Sequence, residues 1–225
     1  MTARLDRLQV VLKMLDYSGI YPQIWDAVEH QDGEKGCLFS HKEVLRDIII
    51  QNYTWSLVFE DDVDFDVSLV QQLDKLKSDL ITPEMHMVYL GVFNEVGIER
   101  LHKSDRTILV ESKRPSGAFA YMLTQTGASE FLALLNKIGD DNPVDKWFSG
   151  GKLSSWNVFP QLVTGIPSMK SDLRDDDGVR EWQTKNQPKF ENSCYQKILS
   201  SESNRRNRKA KSSSSETSEK VRRTS

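Results

Sequence analysis

An α/β fold, an open sheet at least partly parallel with helices packed on it, is what this sequence predicts. Two short apolar runs, Leu57 to Phe59 and Met87 to Leu90, have the length and composition of buried strands. Around them lie segments whose apolar residues recur at helical spacing. Strand and helix signals then alternate along the chain, which places helices on the faces of a common sheet. A length of 225 residues is enough for one well-packed domain.

Taken in order, Leu5, Leu8, Val11, Leu12 and Leu15 predict an amphipathic first helix. Tyr21 to Val28, with Ile24, Trp25 and Ala27, reads as a short strand leading into a turn at Asp32-Gly33. Ser40 followed three residues later by Glu43 forms a capping box, and Val44, Leu45, Ile48 and Ile49 are the apolar face of the helix it would start. After the strand at Leu57, residues Leu69, Leu73, Leu76 and Leu80 predict a helix of about three turns, closed before Pro83. The second buried strand ends at Gly91. Thr107 to Val110 and Ala118 to Leu123 read as further strands. Thr126 is then the expected N-cap of a helix carrying Phe131, Leu132 and Leu135, ended by Gly139 and Asp140. Val158 to Val163 is expected at a sheet edge, because Pro160 has no N–H for a ladder.

Charge is unevenly spread. From Arg205 onward eight Lys/Arg face two Asp/Glu, so a net −3 for the chain leaves −9 on the body. An acidic body with a basic end is not the profile of a nucleic-acid binder. Two cysteines, Cys37 and Cys194, are too few for a disulfide framework or a Cys-rich zinc site, and both read as free thiols. No run of about 18 apolar residues exists, and the start lacks the apolar core of a signal peptide. As given, the chain reads as cytoplasmic, with the secretory lumen as the alternative if an anchor precedes it. Asn52-Tyr53-Thr54 matches a glycosylation acceptor, but beside a buried-looking strand the match reads as chance. The expected organisation is a catalytic-type domain over 1–187 and a Ser/Arg/Lys-rich tail over 188–225. From Ser200 the tail has too few apolar residues to offset its ordering entropy and reads as disordered. Arg205 to Lys211 fits nuclear import, an acidic partner or a plain solvated tail.

The most informative stretch is Leu57-Val58-Phe59-Glu60-Asp61-Asp62-Val63-Asp64-Phe65, where an apolar strand runs into carboxylates. Such oxygens suit hard cations such as Mn²⁺ and Mg²⁺. If the segment stays extended, Glu60 and Asp62 point to one side, where they can share a metal, and Asp61 points to the other. Asp62, Asp64 and Asp66 also mimic the start of a calcium loop, but Val67 and Leu73 stand where Gly and the closing Glu belong. A solvated turn that caps the following helix fits the spacing too.

Gly36-Cys37-Leu38-Phe39-Ser40-His41, then Glu60-Asp61-Asp62, then Tyr89-Leu90-Gly91 resemble glycosyltransferase family 25, which holds bacterial lipopolysaccharide galactosyltransferases and animal procollagen galactosyltransferases. The likeness continues through Gly117-Ala118-Phe119-Ala120-Tyr121, Gly127-Ala128, Pro143-Val144-Asp145, Pro160-Gln161-Leu162-Val163 and Ser171-Asp172, and covers most of Leu5 to about Asn186. Single pieces are weak; their order and spacing are specific. The family's usual first apolar strand, ahead of an Asn-Leu-Asp-Arg-like segment, is missing before Leu5-Asp6-Arg7.

The resemblance implies a GT-A-like open mixed sheet with its N-terminal strand missing. It also implies a UDP-sugar donor such as UDP-galactose, a glycan or glycoprotein acceptor, and Mn²⁺ or Mg²⁺ bridging the diphosphate to the acidic motif. Glu60, Asp62 and Asp172 are then the expected metal residues. Ser40, His41, Glu60, Gly91 and Tyr121 are the expected donor-binding residues. Asp145 is expected to take the acceptor hydroxyl's proton in an inverting transfer, and Asp61 to orient its neighbours. Each also has a plainer reading: Ser40 as a cap, His41 as a structural histidine, Tyr121 as strand core, Asp145 as a loop former. A catalytically silent binding module or a truncated fragment is the alternative to an active transferase.

Overall fold

The computed structural model describes residues 5–92, 98–104, 107–112, 117, 119–139, 155–166 and 189–204. It is a mixed α/β molecule. Six strands form one sheet: β1 (Ser56–Phe59), β3 (Met87–Gly91), β4 (Ile98–Ser104), β5 (Thr107–Ser112), β6 (Ala120–Leu123) and β7 (Ser155–Phe159), in the order β1-β6-β3-β7-β5-β4. Among the described residues, only β3 and β7 run parallel; the other neighbours are antiparallel. Two short strands, β2 (Val63–Phe65) and β8 (Val163–Gly165), pair separately. The expected open mixed sheet flanked by helices is therefore present.

Alternation along the strands splits the apolar residues into two cores. Met87 and Tyr89 of β3 with Tyr121 and Leu123 of β6 face α2 (Gly33–Gln51) and α4 (Gln125–Ile138), meeting Leu38, Leu45, Ile48, Phe131 and Leu135. Val88, Leu90, Ala120 and Met122 point the other way, toward α1 (Leu5–Tyr17), α3 (Leu69–Asp79) and β2. At Gly91 the small sheet comes so close that a Cβ would sit 2.0 Å from the Val163 carbonyl oxygen and 2.5 Å from the Phe119 ring. Gly91 is thus required by packing alone.

Several local expectations are corrected. Tyr21 to Val28 is not a strand: its apolar residues are largely exposed, and the segment lies along α2, where the Val28 N–H donates to Ser40 Oγ at 2.8 Å. Ser40 does not start α2. That helix begins at the supposed turn, with Asp32 as N-cap accepting from the N–H groups of Glu34 and Lys35, while Ser40 sits inside it and donates to the Gly36 carbonyl. Thr124, not Thr126, caps α4 by accepting from the Gly127 N–H. Far from being an edge, β7 is central, and Pro160 lies just past it in the connection to β8. Polar β4 and acidic β2 were not expected at all.

The fading pattern after Pro188 conceals a further helix, α5, over residues 194–204. Cys194 and Ile198 are buried in the α1/α3 core, and Cys194 Sγ donates to the Met14 carbonyl at 3.4 Å. Residues 205–225 lie outside the described part. Among the described residues, no helix is long and apolar enough to cross a membrane.

Candidate functional site

Everything at the site hangs on the carboxyl end of β1. The β1/β6 ladder extends one residue beyond the strand, with the Glu60 N–H donating to the Phe119 carbonyl at 2.9 Å. Glu60 therefore keeps the alternation of Val58, which packs on the α2/α4 core, and it turns toward α2. There His41, buried in mid-helix, presents Nε2 at 3.6 Å from Glu60 Oε1 and Nδ1 at 2.8 Å from the Tyr121 hydroxyl. Cys37 is one helical turn before His41, on the same face.

At Asp61 and Asp62 the chain turns, so strand alternation ends there. The expectation that Asp61 points away from Asp62 is corrected accordingly, whereas Asp62 stays close enough to Glu60 to feel its charge. Asp61 and Asp62 both approach one guanidinium: Nη1 of buried Arg7, on α1, is 3.3 Å from Asp61 Oδ1 and 3.9 Å from Asp62 Oδ2. The remaining acids are structural. Asp64 accepts from Ser193 Oγ at 2.7 Å and the Tyr195 N–H at 3.0 Å, anchoring the start of α5. Asp66 accepts from the N–H and the hydroxyl of Ser68, just before α3. Asp66 thus orders the turn at Ser68, the N-cap position of α3, without itself capping that helix, and Asp64 serves a helix distant in sequence.

Electrostatics separate the groups further. Asp62 is pushed up to about 7 by its burial, then by Glu60 and Asp61, with Arg7 only partly offsetting them. The carboxylate oxygens of Glu60 and Asp62 are hard donors of the kind a divalent cation takes, but among the described residues the three side chains whose ligand atoms lie within 4.8 Å of one another are Cys37, His41 and Glu60. Burial opposes charge on the His41 ring, but Tyr121, Cys37 and Glu60 outweigh it and raise its pKa well above the ordinary value. Burial raises Tyr121 as well, so it remains a neutral phenol at neutral pH.

The structure thus brings Glu60, Asp61, Asp62, His41 and Tyr121 together. It gives Ser40 two backbone hydrogen bonds and Gly91 a packing role. Asp145 and Asp172 lie outside the described residues. Two members were not anticipated. Arg7 has the spacing of the apolar face, four residues before Val11 and eight before Leu15, and a charge in that stripe was a readable signal. Cys37 stands four residues before His41, the spacing that puts two side chains on one helix face.

Comparison with known proteins places these residues in context. A family model described as glycosyltransferase family 25 (LPS biosynthesis protein) matches residues 20–148. A Rattus norvegicus protein named probable inactive glycosyltransferase 25 family member 3 is 31% identical over 108 residues, covering 45% of this chain and 18% of that protein. Danio rerio procollagen galactosyltransferase 1 is 30% identical over 104 residues, 44% of this chain and 17% of its own length. Xenopus laevis procollagen galactosyltransferase 1-A is 38% identical over 61 residues, 26% and 10% respectively. The match spans less than a fifth of each relative.

Proposed function

The chain belongs to glycosyltransferase family 25, and from that premise we propose that it moves a hexose, galactose foremost, from a UDP-sugar to a hydroxyl of a glycan or glycoprotein. The observation that carries this reading is the crowding of Glu60, Asp61 and Asp62 at the end of β1, where Asp62 is held near 7. Glu60 and Asp62, with Asp172 as a sequence-based third, would hold Mn²⁺ or Mg²⁺, an ion whose bound form neutralises charge on a departing nucleoside diphosphate. Asp61, drawn to Arg7, holds its neighbours in place. His41, fixed by Tyr121, directs Nε2 at Glu60 and so orients that carboxylate. Asp145 is the proposed base that takes the acceptor hydroxyl's proton from the opposite face in an inverting reaction.

The test is Mn²⁺-dependent release of UDP from UDP-galactose by the full chain, compared with Asp62→Asn. Loss of turnover in the variant supports the reading. Absence of any Mn²⁺-dependent UDP binding by the wild type would overturn it.

A second reading, a silent module that keeps the fold, is favoured by one specific contact. Arg7 already brings a positive charge to Asp61 and Asp62 from within the chain, where a metal would otherwise act. The Rattus norvegicus relative is also named probable inactive. Arg7→Met decides between the two: under the silent reading it creates Mn²⁺ affinity that the wild type lacks, whereas under the transferase reading the wild type already binds.

A further inference from the structure

We propose that Cys37, His41 and Glu60 form a second, softer metal centre for a zinc-class ion, which shares Glu60 with the carboxylate site beside it and differs from it in its sulfur and nitrogen ligands. One sulfur, one imidazole nitrogen and one carboxylate oxygen from these residues lie within 4.8 Å of one another. Thiolate and imidazole select Zn²⁺ or Co²⁺ over Mn²⁺ and Mg²⁺, which prefer all-oxygen shells. The inference does not rest on the transferase reading.

Three features make this a built arrangement. The one-turn spacing on α2 presents Cys37 and His41 together, and the rigid end of β1 brings Glu60 to them. Ligand bonds of about 2.0 to 2.3 Å in a tetrahedron put ligand atoms roughly 3.4 to 3.6 Å apart; His41 Nε2 and Glu60 Oε1 are already at 3.6 Å. Cys37, partly exposed, holds its sulfur within 4.8 Å of both. Finally, Tyr121 occupies Nδ1 at 2.8 Å, the outer contact that fixes the ring and leaves Nε2 for a metal. The Glu60 side chain is 35% exposed, so solvent reaches the site and can supply the fourth ligand.

The plain competitor is a polar cluster that packs α2 on the sheet and binds nothing. Titrating the chelator-treated chain with Co²⁺ distinguishes them. The expected result at one equivalent is a thiolate-to-cobalt charge-transfer band in the near ultraviolet with tetrahedral visible bands. Zn²⁺ should displace both. They should vanish in Cys37→Ser, survive in Cys194→Ser, and need about tenfold more Co²⁺ in Tyr121→Phe. A folded wild type that shows no charge-transfer band overturns the proposal, as does a band that survives Cys37→Ser. Neither outcome bears on UDP-galactose turnover, so this inference and the transferase reading fail separately.

Discussion

Asp62 is the residue whose chemistry can be tested most directly. Its folded pKa of about 7 lies above the ordinary carboxylate value of 3.8, so the folded state holds a proton that the unfolded state has already released. Stability therefore falls as pH rises from about 4 to 7, and the full penalty applies above that. Asparagine cannot ionise, so Asp62→Asn should be more stable than wild type at pH 8 and close to it at pH 4. Because the group is coupled to its neighbours and a quarter exposed, the expected gain is discounted to about 1 to 2 kcal/mol. Urea unfolding at both pH values measures it, and equal differences at the two would remove Asp62 as the cause. Mn²⁺ should reverse the order at pH 8 by stabilising only the wild type. Gly91 tests packing instead: Gly91→Ala drives a methyl into the Val163 carbonyl. A cost of about 3 kcal/mol is expected, and an unchanged midpoint would show that the small sheet can move aside.

At the scale of elements, legibility followed hydrophobic contrast. Helices α1, α3 and α4 and strands β3, β5 and β6 stood out because buried apolar residues cluster within each; β1 stood out as an apolar run too, but it is an edge strand and only partly buried, not the buried strand its composition predicts. The misreadings share a physical cause: residue type was present without the burial it usually signals. Tyr21, Ile24 and Trp25 look like strand residues but are exposed. Ser40 and Glu43 have capping-box spacing, yet Asp32 starts the helix. In the site, Glu60-Asp61-Asp62 was legible as a cluster because its members are adjacent. The partners were not, since Arg7 reaches Asp61 across 54 residues and Tyr121 reaches His41 across 80. Helix α5 was missed because its anchors, Asp64 with Ser193 and Tyr195, also lie far apart. Asp64→Ala should free that end at a cost of about 1.4 kcal/mol. Cys194 reports it. Burial raises this thiol's pKa and shelters it, so alkylation requires α5 to open. The variant should label at Cys194 about tenfold faster than wild type, while Cys37 labels at the same rate in both. Mass spectrometry of the alkylated cysteines reads both rates, and an unaltered Cys194 rate would mean that Asp64 does not hold the helix.

For the whole molecule, the decisive fact is that the site draws on elements from both faces of one sheet. His41, Cys37 and Tyr121 belong to the α2/α4 side, whereas Arg7 comes from α1 on the other. Glu60 to Asp62 span the two because the chain leaves the sheet edge there and turns. Integrity of the α1/α3 core is thus a condition for the position of Arg7, although that core contains none of the carboxylates. Helix α5 completes this core: Cys194 and Ile198 pack with Val11, Met14 and Leu15 of α1. Ending the chain at Pro188 should strip that cover and leave α1 loosely held. Exposing two buried apolar side chains and losing the Asp64 anchors should cost about 3 to 5 kcal/mol. Because Arg7 rides on α1, the same truncation should also leave Asp61 and Asp62 less compensated, and Mn²⁺ should then stabilise the shortened chain more than the full one. Calorimetry of both chains with and without Mn²⁺ separates the two effects. A shortened chain that melts at the wild-type temperature would show that α5 is dispensable. One that melts lower but responds equally to Mn²⁺ would show that Arg7 keeps its place without it.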